Sequence, residues 1–323
     1  MKKFLVLLLC LLVLTGCGDK KEKVVIYSNM EDDRTQSLKA LLKENFNDID
    51  VVVQSMSTGN VAAKIKNEGK NIEADIIIDL ETSHIENLKE NFADISTYDT
   101  SIYENGVNSS SNYLAWSKYT INLFIDNKYF KEHNLTIPKT YNDLLKKEYK
   151  GLIAMPDPKT SGTGYAFLLN VVNIMGENKA VKYFTKLKEN LREFTSSGSG
   201  PTNLLKQGEI AIAMGMTSQG VAAINEGYDF SIVELDTGAL YNTTSCGIIK
   251  GKETNKNVKK VFEFLITKGI TNDSQNFLPE GILKDKTSNV KNYPVSTKNA
   301  DMTGIEDINV KSKLTELWKQ VNG

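Results

Sequence analysis

Apolar positions in this chain follow two rhythms that alternate. Val24, Val25, Ile26 and Tyr27 form an unbroken β-type run, and Leu38, Leu41, Leu42 and Phe46 then recur at helical spacing. Residues 51–53 are the next strand, Val61, Ala62 and Ile65 the next helical face, and residues 76–78 a third strand. Continuous Val/Ile runs separated by helices predict parallel strands covered on both faces. The rhythm restarts with strands at 121–125, 152–155, 210–216, 230–235 and 246–249, plus an extended piece at 193–195. Helices are predicted over 165–174, 180–191 and 258–266, with a last one carrying Leu314, Leu317 and Val321. Thr140 is placed to cap a helix through Leu144 and Leu145. Two α/β lobes result, each with a mixed, mainly parallel sheet. The chain is expected to cross between them near residues 113–122 and again near 241–246.

The N-terminus has a different pattern. Lys2 and Lys3 precede an almost unbroken apolar run over residues 4–14, shorter than the roughly 20 residues that a spanning helix needs. That profile suits a secretory signal. It ends in Leu14-Thr15-Gly16-Cys17, which resembles the lipobox of bacterial lipoproteins. The resemblance implies cleavage before Cys17 and a diacylglycerol on its sulfur. The expected division is a signal peptide at 1–16, a lipidated tether at 17–23, lobe 1 at 24–118, lobe 2 at 119–243, and a return to lobe 1 with C-terminal helices at 244–323. Of three cysteines, Cys10 leaves with the signal and Cys17 carries lipid, so Cys246 has no internal disulfide partner and reads as a small buried hydrophobe.

Composition narrows the function. A chain of 323 residues, 40% hydrophobic and 24% charged, is an ordinary globular protein, and a formal net charge of −1 provides no basic field for nucleic acid. Two histidines far apart, His84 and His133, lack metal-ligand spacing and read as surface residues. There is no G-x-S-x-G elbow, H-E-x-x-H helix or Walker A loop. No catalytic residue, metal site or cofactor is expected.

The residues directly after each strand carry the candidate chemistry, because ligands of open α/β sheets collect beyond the carboxyl ends of the strands. In the first lobe these are Ser28-Asn29, Ser57-Thr58-Gly59, and Asp79 to Glu81. In the second they are Ser161-Gly162-Thr163, Ser197-Gly198-Ser199 and Thr217. Small hydroxyl- and glycine-rich turns that open helices expose unpaired N–H groups and the positive end of the helix dipole, which suits an anion without needing Arg or Lys. Capping explains any one of them; several at strand ends of two lobes point to a shared cleft for a polar or anionic solute. Asp79, Glu81 and Asp236 are placed to meet an ammonium group if the solute has one. Tyr113 and Trp116, near the first crossing, are either ligand-packing or core residues.

Several segments carry a resemblance to a known family. Asp157-Pro158-Lys159-Thr160-Ser161-Gly162-Thr163-Gly164 resembles a segment of extracellular solute-binding proteins from the ferric-iron, phosphonate and sugar-phosphate branch of ABC importers. Ser197-Gly198-Ser199-Gly200-Pro201, Leu204-Leu205 and Gln207-Gly208-Glu209 are similar to its second-lobe signature. Residues 24–28, Ser57-Thr58-Gly59 and Gly247-Ile248-Ile249-Lys250-Gly251 also match its pattern. The resemblance implies a type II periplasmic-binding fold with a two-crossing hinge, acting as a monomer that delivers solute to an ABC permease from outside the membrane. The iron-binding members use an adjacent tyrosine pair, whereas residues 240–245 here hold the single Tyr241. That favours a phosphonate or phosphate ester over ferric ion, with Tyr241 as a further solute contact. A ferric-iron-binding protein, a carboxylate-based extracellular enzyme and a protein serving a sensor are the alternatives.

Overall fold

The computed structural model describes residues 21–322, apart from Ser109, Ser296 and Thr297. The signal segment and Cys17 lie outside the described residues. Among the described residues, nine strands form one sheet: β1 (Glu22–Ser28), β2 (Ile49–Ser55), β3 (Ile76–Glu81), β4 (Leu114–Asp126), β5 (Ile153–Pro156), β6 (Leu191–Thr195), β7 (Ile212–Met216), β8 (Phe230–Val233) and β9 (Leu240–Ile248). Their order is β2-β1-β3-β9-β4-β7-β5-β6, with β8 beside the end of β4. The helices are α1 (Asp32–Asn45), α2 (Thr58–Glu68), α3 (Thr82–Asn87), α4 (Asn127–Glu132), α5 (Gly162–Met175), α6 (Glu177–Leu187), α7 (Gly200–Lys206), α8 (Thr217–Asn225), α9 (Lys256–Phe264), α10 (Ile270–Asn276) and α11 (Ile308–Asn322).

Parallel pairing joins β1 with β2 and β3 in lobe 1, where the Val/Ile runs lie, and also β5 with β6 and β7 in lobe 2, although β6 carries Arg192 and Glu193. β4 and β9 are antiparallel to each other and to their other neighbours. The first half of β4 pairs with β9, while residues 121–125 pair with β7, so this 13-residue strand belongs to both lobes. β1 begins at Glu22, two residues before the start expected for lobe 1 at residue 24.

Two large cores flank this shared pair of strands. Val24, Ile26, Leu38, Trp116, Cys246, Val258 and Phe262 belong to one. Ile121, Tyr165, Phe167, Phe184, Ile212 and Trp318 belong to the other. The assignment of all residues 244–323 to lobe 1 needs correction. α9 and α10 pack into the first core, but Leu314, Trp318 and Val321 of α11 pack into the second. Trp318 sets its ring edge-on against Phe184 and Phe194 and donates from Nε1 to Asp157 Oδ1 at 2.9 Å. The indole is 2% exposed, and its acceptor and both rings belong to lobe 2. Thr140 accepts from the Asp143 amide, but the element it opens is one 3-10 turn, Asp143–Leu145. Trp116, 1% exposed, is a core residue, and Tyr113 donates to Glu86.

Candidate solute-binding site

The loop between β5 and α5 is organised by Asp157. Its carbonyl accepts from the amides of Thr160 and Ser161, and its carboxylate accepts from the Lys159 amide and Trp318. Ser161 then caps α5, with its Oγ 3.5 Å from the Gly164 amide. Gly164 is required there: a Cβ would overlap the carbonyl oxygen of Pro156. As opening amides of a helix, those of Gly162 and Thr163 have no intrahelical acceptor. The turn before α7 lies alongside. A methyl group at Gly198 would stand 3.2 Å from Thr163 Oγ1 and 3.3 Å from Ser161 Oγ. Ser161, Gly162, Thr163 and Gly198 therefore form one surface of lobe 2, with the exposed Ser197 and Ser199 on either side of Gly198.

Lobe 1 meets this surface through Glu81, the last residue of β3. A Cβ on Gly162 would collide with Glu81 Oε1 and approach Tyr119 Oη to 3.4 Å. The same carboxylate accepts a hydrogen bond from Lys311 of α11. Glu81 is 7% exposed; burial opposes its charge, but the ammonium of Lys311 and that hydrogen bond outweigh it and hold the carboxyl below its usual range. His84, expected at the surface, is half-buried beside this pair, and burial followed by the Lys311 charge lowers its pKa.

The other expected contacts divide. Ser28 is fully buried, its Oγ accepting from the Met30 amide, and in the sheet it lies opposite Ile78 of β3. Asn29 is half-exposed beside it. Ser57, Thr58 and Gly59 open α2 at the end of β2, with Ser57 and Gly59 exposed. Thr217 is 1% exposed and already bonded to Thr120 (2.7 Å) and Asn122 (3.0 Å) of β4, so its hydroxyl ties α8 to the shared strand. Tyr241 is half-exposed on β9. Lys118 covers its ring at 4.5 Å, and it lines a cavity of about 770 Å3 with Ser83, Glu86, Met302, Glu306 and Asn309. A second cavity, about 280 Å3, lies between Glu31 and Arg34 of lobe 1 and Ser218, Gln219 and Ala222 of α8.

Asp79 is not free for a solute. It has left-handed backbone (φ 56°) and accepts from Arg34 (3.0 Å), Ser117 (3.0 Å) and Thr244 (2.6 Å). Arg34, 5% exposed, also bonds Asp273 at 2.6 and 2.9 Å and Glu31 at 2.8 Å. Ser117 and Thr244 lie on β4 and β9, so this network fixes the shared strands to lobe 1. Sequence reasoning missed Arg34, Asp273 and Lys311. Each is one of many charged residues on a helix, with no local pattern marking it.

A model of the bacterial extracellular solute-binding protein family matches residues 50–296. The chain belongs to that family. Similar solved structures share the two-lobed type II periplasmic-binding fold. The fructose-6-phosphate-bound periplasmic binding protein AfuA from Actinobacillus pleuropneumoniae superposes with a TM-score of 0.75 at 19% identity, covering 94% of this chain and 99% of that one. A periplasmic thiamin binding protein gives 0.79 at 14% identity, covering 95% and 98%. The ferric binding protein from Campylobacter jejuni gives 0.73 at 18% identity, covering 92% and 99%. Membership makes this chain a solute-binding protein of ABC import that works outside the cytoplasm; its relatives are binding proteins, not enzymes. Among the described residues, no helix is long and apolar enough to cross a membrane.

Proposed function

We propose that this binding protein captures a small anionic solute, a phosphonate or phosphate ester by preference, and hands it to an ABC permease while lipidated Cys17 holds it at the membrane. It acts as a monomer. The observation that carries this reading is the first turn of α5. In lobe 2, Ser161, Gly162 and Thr163 present hydroxyls and helix-opening amides. The group lodged against them is a carboxylate, Glu81, supplied by lobe 1. A carboxylate in that position is what the positive end of a helix stabilises, and a solute phosphate or phosphonate is satisfied by the same donors. Lobe 2 holds the anion, lobe 1 closes over it, and the closed form docks on the permease. AfuA, solved with the phosphate ester fructose-6-phosphate bound, has the same fold, which is compatible with this reading without selecting the solute.

A melting-shift panel of phosphonates, sugar phosphates and ferric salts tests it, together with Ser161→Leu and Thr163→Leu. Both side chains are under 10% exposed, so a bulky apolar group fills the anion position. The expected result is a shift with phosphonates or phosphate esters that both variants lose while still unfolding cooperatively. A shift with ferric salts alone, or unchanged shifts in both variants, counts against the assignment.

A further inference from the structure

Ser161-Gly162-Thr163 and Ser197-Gly198-Ser199 include no cation, yet the folded chain brings one to them. Lys311 lies in the first turn of α11, whose position is fixed by Leu314, Trp318 and Val321 in the lobe 2 core. The hydrogen bond from Trp318 Nε1 to Asp157 ties the same helix to the loop that leads into Ser161. Lys311 therefore moves with the Ser161–Gly162–Thr163 surface and not with lobe 1. Its ammonium is largely buried, lies 5.2 Å over the Tyr165 ring on the first turns of α5, and donates to Glu81. The Tyr165 hydroxyl, on a side chain 1% exposed, is buried without a hydrogen-bond partner.

The geometry points to Lys311 as the solute's counter-charge and a determinant of specificity, with Glu81 standing in the place that the solute's anionic group takes. This rests on the anionic reading above and adds the residue that makes it selective. One carboxylate is approached by an ammonium and a helix N-terminus, both belonging to lobe 2. When lobe 1 swings away, Glu81 leaves with it. Lys311, the α5 amides, Thr163 and the unpartnered Tyr165 hydroxyl then stay together as an anion site. Glu81 competes for that site with a free anion. Its withdrawal separates two charges that are mostly out of water, so only a group as strongly charged as a phosphate or phosphonate replaces it efficiently.

Calorimetric titration of the full mature chain with methylphosphonate and with inorganic phosphate tests this. Lys311→Met is expected to weaken binding by roughly tenfold or more, as loss of a partly buried charge partner does, and Lys311→Arg to restore most of it. Lys313→Met is the control: two residues on, Lys313 bonds the surface carboxylate of Glu177 and is well exposed. Glu81→Gln is expected to tighten binding severalfold, because the competing charge is gone. A purely structural Lys311–Glu81 pair differs at Glu81→Gln, which then binds more weakly, as Lys311→Met does. Circular dichroism and thermal unfolding show whether each variant is folded; if Lys311→Met fails to fold, Glu81→Gln alone decides. Wild-type binding with Lys311→Met equal to it, or Glu81→Gln weaker than it, overturns this inference and leaves the anionic reading standing. If wild type binds neither probe and no other anion of the panel, both fall.

Discussion

Replacing Arg34 with alanine is expected to cost about 3–5 kcal/mol of folding stability, because it leaves buried carboxylates without their cation. Arg34 and its partners Asp79 and Asp273 are all under 10% exposed, so water cannot take over its role. The effect should depend on pH. Burial pushes the Asp79 carboxyl up to about 6 from an ordinary 3.8, against the pull of Arg34. A carboxyl raised on folding holds its proton more tightly in the folded chain. Its contribution is therefore full below about 3.8 and is lost as the pH rises through about 6. Without Arg34 the neutral form of Asp79 is favoured still more, so the variant's deficit should be smaller at about pH 5 than at about pH 8. Denaturant unfolding of both proteins at the two pH values checks this. A deficit below about 1 kcal/mol, the range of exposed ion pairs, or one equal at both pH values, contradicts the proposed role of the network.

Gly162→Leu is expected to abolish solute-induced stabilisation while leaving each lobe folded. Gly162 is half-exposed at the first position of α5, where leucine is compatible with the helix itself. The obstacle is across the join: its Cβ collides with Glu81 Oε1, and a longer side chain meets Tyr119 as well. The lobes cannot then approach as closely, and contacts from both sides of a solute are no longer made together. X-ray scattering should show a radius of gyration that solute no longer reduces. Adding Glu81→Ala removes the colliding carboxylate and should restore part of the compaction. Wild-type compaction in Gly162→Leu itself contradicts closure at this point.

The strands and the site were legible in the sequence to different degrees. Val24-Val25-Ile26-Tyr27 and residues 76–78 were readable because a strand buried on both faces must be apolar throughout. β4 and β9 run longer than their apolar stretches. Their shared segment carries Ser117, Thr120, Thr243 and Thr244, which bond Asp79, Thr217, Glu306 and each other, so polarity hid the strand. The stripe of Leu314, Leu317 and Val321 announced a helix but not its lobe, which depends on the Trp318 indole reaching Asp157. The hydroxyl turns were visible as sequence because capping is local. Lys311 and Glu81 were not visible as a pair, since they are 230 residues apart and meet only when the lobes are assembled. Thr217 and Ser28 had the expected residue type, but their hydroxyls serve interior bonds that no local pattern reveals.

The most direct measurement is a crystal structure of the protein with the solute it retains when purified without denaturation. The expected result is an anionic group within hydrogen-bond distance of Ser161, Gly162 and Thr163, with Lys311 beside it, lobe 1 closed over it and the Glu81 side chain displaced from the first turn of α5. A solute seated instead in the cavity around Tyr241 and Glu306, with Glu81 still lodged on the first turn of α5, contradicts the assignment.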